Sequence, residues 1–359
     1  MRNKVMVAMS GGVDSSVAAL LLKEQGYDIC GATLKLFADE DIDTSCSTRT
    51  CCSLEDVEDA RRVCYKLGME HFVFNFKDTF KEEVMEKFAR SYEMGDTPNP
   101  CVDCNKFIKF SKLIQRAVLM EKDYIATGHY ARIEYDNASK RYLLKKAVDA
   151  TKDQSYVLYV LTQGDLSRIL LPLGGMHKSE AREIAEAKGL INARKPDSQD
   201  ICFVKDGDYA GFLENSMGIV SQKGNFVDTN GKVMGTHKGI IHYTIGQRKG
   251  LGIAFGKPTY VVSKNKENNT VTLGNENELF SDRLYANDIN LIAIEKLNSP
   301  MKVMVKTRYK QKESEATIFP VDEDKILVEF KEKQRAITSG QAVVFYQDDI
   351  VIGGGTIVS

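Results

Sequence analysis

Hydrophobic and polar positions along residues 1–205 follow the pattern of strands and helices in alternation. The apolar run at 4–9 is typical of a buried strand, and 17–24 has a single apolar face, as a helix does. The same patterns predict strands at 28–36, 71–76 and 124–127, and helices at 53–68, 81–94 and 107–120. Alternation of this kind predicts an α/β fold with a doubly wound parallel sheet, in which ligands bind at the carboxyl ends of the strands.

The pattern changes after residue 205. Between 206 and 279, short apolar runs are separated by turns rich in glycine, asparagine and aspartate, and from 280 onward only strand patterns occur. The clearest of these later strands are predicted at 302–307, 314–320, 326–330, 341–346 and 350–352. Their spacing of roughly ten residues is typical of a small barrel or sandwich. We therefore expect three domains, at 1–205, 206–279 and 280–359.

The composition is that of a globular protein: 359 residues, of which 43% are hydrophobic and 28% are charged. A net charge of −1 gives no overall basic field, so a nucleic-acid partner must be met by a local basic surface. No apolar run reaches the roughly 18 residues of a membrane span, and the first predicted strand leaves no room for a signal peptide. The eight cysteines are expected to serve catalysis, metal binding or burial in the cytoplasm rather than disulfides.

Residues 10–16 have the sequence SGGVDSS and lie between the first predicted strand and the first predicted helix. Two glycines at such a turn let a phosphate approach the backbone N–H groups and the positive end of the helix. Ser10, Ser15 and Ser16 add hydroxyl donors. Because no Gly-Lys-Ser/Thr ending follows, the motif is not an ordinary P-loop. It resembles the pyrophosphate loop of ATP pyrophosphatases, which bind ATP, adenylate a substrate oxygen and release pyrophosphate.

Three cysteines lie in segments that lack a core pattern. Cys101 and Cys104 are in TPNPCVDCNK at 97–106, and Cys202 is in DSQDICF at 197–203. Cys104 precedes a predicted helix and stands two residues from a lysine, and both features lower a thiol pKa and favour the reactive thiolate. The alternative for Cys104 and Cys202 is burial as small apolar side chains.

A second group of cysteines, Cys46, Cys51 and Cys52, shares the polar loop after the second predicted strand. No histidine accompanies them, and their spacing fits no standard zinc finger. Incidental thiols are therefore favoured over a structural zinc site, but the sequence does not determine their role.

Seven sequence blocks occur in a fixed order between residue 10 and about 345: SGGVDSS, TPNPCVDCNKFIKF, TGHYAR, KDQSYVLY, KPDSQDICF, HYTIGQRKGLGI and TRYKQ. Together they resemble the tRNA-specific 2-thiouridylases. The resemblance implies a sulfurtransferase that uses ATP to thiolate the wobble uridine of tRNAs for Lys, Glu and Gln. It also implies an ATP pyrophosphatase-type catalytic domain similar to the adenine nucleotide alpha hydrolases, a small central tRNA-binding domain and a C-terminal β-barrel.

The resemblance also implies roles for individual residues. Cys104 would be the nucleophile and Cys202 the persulfide carrier, and sulfur transfer would leave a Cys104–Cys202 disulfide to be reduced afterwards. The residues implied for ATP, which would bind with magnesium, are Ala8, Met9, Ser10, Gly11, Gly12, Val13, Asp14, Ser15, Leu34 and Gly128. The residues implied for tRNA, the first three lining the pocket of the target base, are Asn99, Pro100, Cys101, His129, Lys152, Asp153, Gln154, Arg308, Tyr309 and Gln341.

One residue departs from the family pattern: many members have Asp where this chain has Cys101. The change creates a Cys-x-x-Cys pair, and Cys101, Cys104 and Cys202 together offer three thiolates for a [4Fe-4S] cluster that binds the incoming sulfur. The persulfide route needs only the other two cysteines and is preferred. A sulfur-donor protein is an expected partner besides tRNA, and the protein is expected to be a monomer.

Two other classes of protein remain open on sequence grounds. One is a different ATP pyrophosphatase, such as an amidotransferase-type synthetase that adenylates a small carbonyl substrate. The other is a tRNA-binding or iron–sulfur carrier protein without enzymatic activity. The intact SGGVDSS motif argues against the second, and the paired Cys104 and Cys202 would be idle in the first.

Overall fold

The computed structural model describes residues 3–37, 54–197, 201–204, 207–253 and 256–358. Cys46, Cys51 and Cys52 lie outside these residues, so the hypothesis of incidental thiols in that loop stays a prediction. No described helix is long and apolar enough to cross a membrane.

A parallel sheet forms the centre of the N-terminal α/β domain. Its strands are β1 Lys4–Ala8, β2 Asp28–Lys35, β3 His71–Asn75, β4 Tyr124–Ala126 and β7 Ile169–Leu170. Their order in the sheet is β3-β2-β1-β4-β7, and every neighbouring pair is parallel. In β1, Met6 packs into one hydrophobic core while Val5 and Val7 pack into a second, as the two-residue period of a strand requires. The predicted doubly wound sheet, with a core on each face, is confirmed.

Helices connect and cover these strands. They are α1 Val13–Glu24, α2 Leu54–Lys66, α3 Lys77–Phe80, α4 Lys87–Glu93, α5 Pro100–Asp103, α6 Leu113–Leu119, α7 Ser155–Leu158, α8 Gln163–Leu166, α9 Lys178–Ala187 and α10 Tyr209–Asn215. Two π-helical segments, Lys81–Glu86 and Cys104–Lys112, join α3 to α4 and α5 to α6.

The helix that follows the TPNP sequence begins earlier than the pattern predicts. Asn99 caps it by accepting a hydrogen bond from the Cys101 amide at 3.2 Å, and Pro100 occupies the first turn. Asparagine at the cap and proline directly after it are strong start signals. The helix therefore begins seven residues before the predicted start at 107, and the prediction that Cys104 precedes it is wrong. Cys104 lies inside the helical segment, and Cys101 lies in its first turn.

A hairpin within the α/β domain was not predicted. Its strands, β5 Arg132–Asp136 and β6 Arg141–Lys145, are antiparallel, and β6 pairs with the last strand of the C-terminal domain at Lys145 and Ile350. The hairpin extends the C-terminal sheet rather than the parallel one, so the first and last parts of the chain share a sheet.

The remaining strands form two further sheets. The central region has β8 Gly224–Val227, β9 Val233–His237, β10 Tyr260–Asn265 and β11 Thr270–Gly274, with 3₁₀ turns at Ile240–His242 and Glu276–Leu279. The C-terminal region has β12 Phe280–Leu291, β13 Met301–Lys306, β14 Ser314–Pro320, β15 Ile326–Arg335, β16 Ala342–Gln347 and β17 Ile350–Val358. Pairing of β12 with β17 closes this sheet into a barrel, which decides between the predicted barrel and sandwich.

Candidate active site

The SGGVDSS turn lies between β1 and α1, as the sequence predicts. Gly11 has a φ of +73° and packs against the backbone of Asp56, so a β-carbon here would be strained and would collide with it. Ser15 Oγ accepts a hydrogen bond from the Ser10 amide at 3.2 Å and donates to the Gly12 carbonyl at 3.1 Å. These bonds hold the turn in shape at a helix start, where amide dipoles favour an anion.

Asn192, which the sequence analysis did not single out, braces the same turn. Its Nδ2 donates to the carbonyls of Gly11 at 2.9 Å and Gly12 at 3.1 Å, and to Ser16 Oγ at 2.8 Å. A single asparagine in a polar segment carries no signal in the sequence. Only the return of the chain brings residue 192 next to the turn.

The other residues predicted to bind ATP lie around this turn. Ala8 ends β1, and the Met9 carbonyl accepts a hydrogen bond from Thr33 Oγ1 at 2.8 Å, one residue before Leu34 on the next strand. Gly128 follows β4, and a β-carbon on it would lie 2.7 Å from backbone atoms of Asp14 and Ser15. The structure thus brings both strand ends against the turn, although the role of these residues toward ATP stays a prediction.

A buried lysine joins this turn to the segment that leads toward Cys202. Lys178 Nζ lies 2.7 Å from both carboxylate oxygens of Asp14 and 2.9 Å from Asp197 Oδ1. The hydroxyl of Tyr130 donates to Asp14 Oδ1 at 2.8 Å. Asp14 is therefore held by a cation and a phenol, and Asp197 lies on the other side of that cation.

Asp197 gathers two more cations. Lys152 Nζ donates to its Oδ2 and Arg182 Nη2 to its Oδ1, each at 2.9 Å. Although partial burial disfavours the charged form, the hydrogen bonds from Lys152 and Lys178 lower the pKa of Asp197 to about 2. Lys152, a predicted tRNA contact, is thus linked to the SGGVDSS turn through Asp197 and Lys178.

The two predicted catalytic cysteines pack against the same hydrophobic core. Cys104 is 6% exposed, whereas Cys202 is half-buried, and both are thiols. Cys101 is exposed. Within the part of the chain that the structure describes, no group of three or more His, Cys, Asp or Glu side chains is arranged to hold a metal ion. A cluster held by Cys101, Cys104 and Cys202 therefore stays an untested alternative, and we derive no step through one.

Several predicted tRNA contacts from distant parts of the chain meet beside α5. Burial raises the pKa of Tyr309 to about 12, and the nearby charges of Asp153 and Cys101 add to this effect. Gln341 Nε2 donates to the Thr97 carbonyl at 2.6 Å, just before the Asn99 cap. The barrel is therefore in contact with the segment that carries Pro100, Cys101 and Cys104.

Three other predicted contacts have properties that the sequence did not indicate. Burial, with Lys109 nearby, lowers the pKa of His129 to about 3, so this imidazole is neutral at physiological pH. Arg308 Nη2 donates within the barrel to the Ala336 carbonyl at 2.7 Å and to Thr338 Oγ1 at 3.1 Å. Gln154 is also engaged, since its Oε1 accepts from the Tyr130 amide at 2.9 Å.

Three family models together match almost the whole chain. Residues 3–206 match the tRNA methyl transferase HUP domain, residues 211–275 the tRNA methyl transferase PRC-barrel domain, and residues 281–357 the aminomethyltransferase beta-barrel domain.

Curated relatives match over nearly their full length. The tRNA-specific 2-thiouridylase MnmA of Acetivibrio thermocellus is 54% identical over 356 residues, which are 99% of each chain. The tRNA-specific 2-thiouridylase MnmA of Clostridioides difficile is 53% identical over 357 residues, 99% of this chain and 98% of the relative. The match to the solved NMN synthetase of Francisella tularensis is 18% identical, covers 61% of this chain and 73% of that protein, and has a TM-score of 0.33.

Proposed function

Because the chain belongs to the tRNA-specific 2-thiouridylase family, we propose that it thiolates the wobble uridine of tRNAs for Lys, Glu and Gln through a Cys202 persulfide. The coarser activity, ATP-dependent 2-thiolation of tRNA, follows from the family itself. Membership of this family excludes the two alternative classes considered above, which were a different synthetase and a carrier without enzymatic activity.

The first step is activation of the uracil. Oxygen at C2 is a poor leaving group and must first be converted into a better one. It attacks the α-phosphorus of ATP, pyrophosphate leaves from that phosphorus, and the resulting adenylate can later leave as AMP. Magnesium is expected as the ion that accompanies the nucleotide. The braced turn around Gly11 and Gly12 supports this step, because a helix start with close backbone approach suits the departing pyrophosphate. Reaching C2 requires the base to leave its stack.

The second step is delivery of sulfur. The terminal sulfur of the Cys202 persulfide attacks C2, and AMP leaves with its oxygen. The Cys104 thiolate then attacks Cys202 Sγ, the persulfide S–S bond breaks, and its electron pair stays on the sulfur that is now bound to C2. The product is 2-thiouridine and a Cys104–Cys202 disulfide, which an external dithiol reduces by two electrons.

The observation that carries this proposal is the chain of contacts from Asp14 through Lys178 to Asp197. It connects the SGGVDSS turn at residues 10–16, which we call the pyrophosphate turn, to Asp197, five residues before Cys202. A site that adenylates a base and then delivers sulfur to it needs these two parts close together. The sulfur donor, the cytoplasmic location and the monomeric state belong to the proposal.

The test follows sulfur through the protein with single cysteine variants. The protein, tRNA, ATP, magnesium and a labelled persulfide donor are combined, and both protein and tRNA are analysed by mass spectrometry. Cys202→Ser is expected to accept no sulfur, and Cys104→Ser to accept it on Cys202 without delivering it. Thiolation that continues in Cys202→Ser would disprove the persulfide route.

Cys101 separates this route from cluster chemistry. Cys101→Asp is expected to retain most of its thiolation activity under added reductant, because the persulfide route uses no third thiol. Loss of activity together with loss of bound iron from anaerobically prepared protein would overturn the proposed mechanism.

A further inference from the structure

Lys178 is a buried cation that neither the motif pattern nor the family resemblance assigns to the site. It is 7% exposed, opens α9, and its backbone N–H donates to Asp149 Oδ2 at 3.0 Å. Burying an ammonium group is costly unless it is paired and hydrogen-bonded. Its three N–H donors face three carboxylate oxygens, two of Asp14 and one of Asp197.

The position of Asp14 explains why the turn needs this cation. Asp14 is the second residue of α1, at the end of the helix where an incoming triphosphate would bind, and its side chain is 31% exposed. A carboxylate there repels phosphate unless its charge is compensated. Lys178 compensates the charge, and Tyr130 fixes the carboxylate by donating to its Oδ1 at 2.8 Å.

We propose that Lys178 is a positioning residue of the ATP site, which neutralises Asp14 so that the turn accepts a triphosphate, and which holds the Asp197 segment at a fixed distance from it. Since all three donors are engaged, Lys178 acts through Asp14 rather than by touching the nucleotide. The inference rests on the proposed function only for its second half, the placement of the segment that leads to Cys202.

The first half is tested by equilibrium binding of three probes to the full-length protein: ATP, inorganic pyrophosphate and adenosine. Lys178→Met is expected to weaken the binding of ATP and pyrophosphate about tenfold or more, because a charge-assisted contact is lost. Its affinity for adenosine should stay within about twofold of the wild-type value. Lys178→Arg should restore most of the loss. An equal loss for adenosine would show a merely structural role and overturn the proposal, as would unchanged ATP binding.

A double variant and a matched control sharpen this result. If Lys178 acts by neutralising Asp14, then Lys178→Met combined with Asp14→Asn binds pyrophosphate more tightly than Lys178→Met alone. Lys188→Met removes another ion pair between the same two helices, Lys188 with Glu24 at 2.6 Å, far along both helices and exposed. It should leave all three affinities unchanged. A double variant that binds no better than the single one would contradict the neutralising role.

The second half is tested with Asp197→Asn, which keeps the contact of Lys178 with Asp14 but weakens all three cation contacts of Asp197. Arg182→Met, which leaves Lys178 and Lys152 paired with Asp197, is the matched control and should keep the wild-type rate. ATP affinity is expected to stay within about twofold, while single-turnover thiolation from a loaded Cys202 slows about tenfold because the segment is no longer anchored. A wild-type single-turnover rate would overturn this half. The binding measurements need no sulfur chemistry, so failure of the wild-type protein to thiolate would count against the proposed function and not against Lys178.

Discussion

Two glycines show how close packing at single residues builds the site. Gly11 needs both its left-handed φ and the absence of a side chain, because the backbone of Asp56 lies against it. Gly128 needs only the absence of a side chain, since a β-carbon would meet backbone atoms of Asp14 and Ser15 at 2.7 Å. Backbone atoms cannot move aside as the end of a flexible side chain can, so a β-carbon at either position would displace the backbone of the pyrophosphate turn.

The Gly128→Ala substitution is therefore expected to weaken ATP binding at least tenfold and to lower stability by about 1–3 kcal/mol, the usual range for overpacking. Titration with ATP and chemical denaturation measure the two effects. Gly175→Ala is the matched control, because a β-carbon on Gly175 meets nothing within 4 Å. ATP affinity in Gly128→Ala equal to that of the control would contradict the close approach.

The start of the α5 helix shows how one element positions two cysteines. Asn99 caps the helix, Pro100 fixes its first turn, and the helical segment then continues through Cys104. Asn99 also stands among the residues predicted to line the target-base pocket. Its two roles can be separated because aspartate caps a helix as well as asparagine does, but has no amide N–H₂ to donate to a base.

Asn99→Ala is expected to cost about 1 kcal/mol of stability through loss of the cap, whereas Asn99→Asp should keep wild-type stability. Both variants are expected to lower kcat/KM for tRNA, because both lack the amide donor. Thermal unfolding and steady-state thiolation provide the two measurements. Full activity of Asn99→Asp would show that Asn99 only caps the helix.

The hairpin of β5 and β6 is a second element that positions the site, because it joins the α/β domain to the barrel. Arg132 Nη2 lies 2.6 Å from Asp349 Oδ2, and Lys146 Nζ lies 2.6 Å from Glu313 Oε1. Together with the pairing of β6 and β17, these ion pairs fix the barrel relative to the pyrophosphate turn. The barrel and the α/β domain are therefore joined directly, and we predict that the tRNA contacts expected on the barrel and on α5 act as one surface.

For the whole molecule, the basic surface must be local because the net charge is −1. Arg308→Ala is expected to weaken tRNA binding and to make its salt dependence shallower by about one unit, as expected for one lost phosphate contact, with ATP binding unchanged. Binding measured over a range of salt concentrations gives the slope. Arg283→Ala, which removes an exposed arginine of the barrel outside the predicted contacts, is the control. An unchanged slope in Arg308→Ala would remove this part of the barrel from the tRNA interface.

A second prediction at this scale concerns the contact between the central region and the α/β domain. Burial lowers the pKa of Lys264 to about 8, against the opposing charge of Asp96, and its Nζ donates to the Tyr243 carbonyl at 3.0 Å. Between pH 8 and about 10 the unfolded chain binds this proton while the folded chain has released it. Stability due to this group therefore rises with pH in that window, by at most about 1.4 kcal/mol per pH unit.

Lys264→Met should remove this rise. Chemical denaturation of both proteins at several pH values from 7 to 10 measures it, and Lys266→Met, at an exposed position nearby, is the control that leaves Lys264 in place. Identical pH dependence in wild type and Lys264→Met would show that the ammonium is not buried between the domains.

The sequence alone determined the parallel sheet, the pyrophosphate turn and the β-rich C-terminal region, because each depends on residues that are close along the chain. Period-two and period-3.6 patterns, and glycines between a strand and a helix, are local signals. The order of the blocks also identified the family. Asn99 and Pro100 are local signals for the early start of α5, but the apolar pattern places the helix start later, at residue 107.

Only the tertiary structure decided what depends on residues far apart in sequence. The bonds of Asn192 and Lys178 to the pyrophosphate turn span more than 160 residues, and no local pattern marks either side chain. The neutral state of His129 likewise follows from burial, which the sequence around it does not show. The closure of β12 on β17, and the addition of β6 to their sheet, are long-range pairings of the same kind.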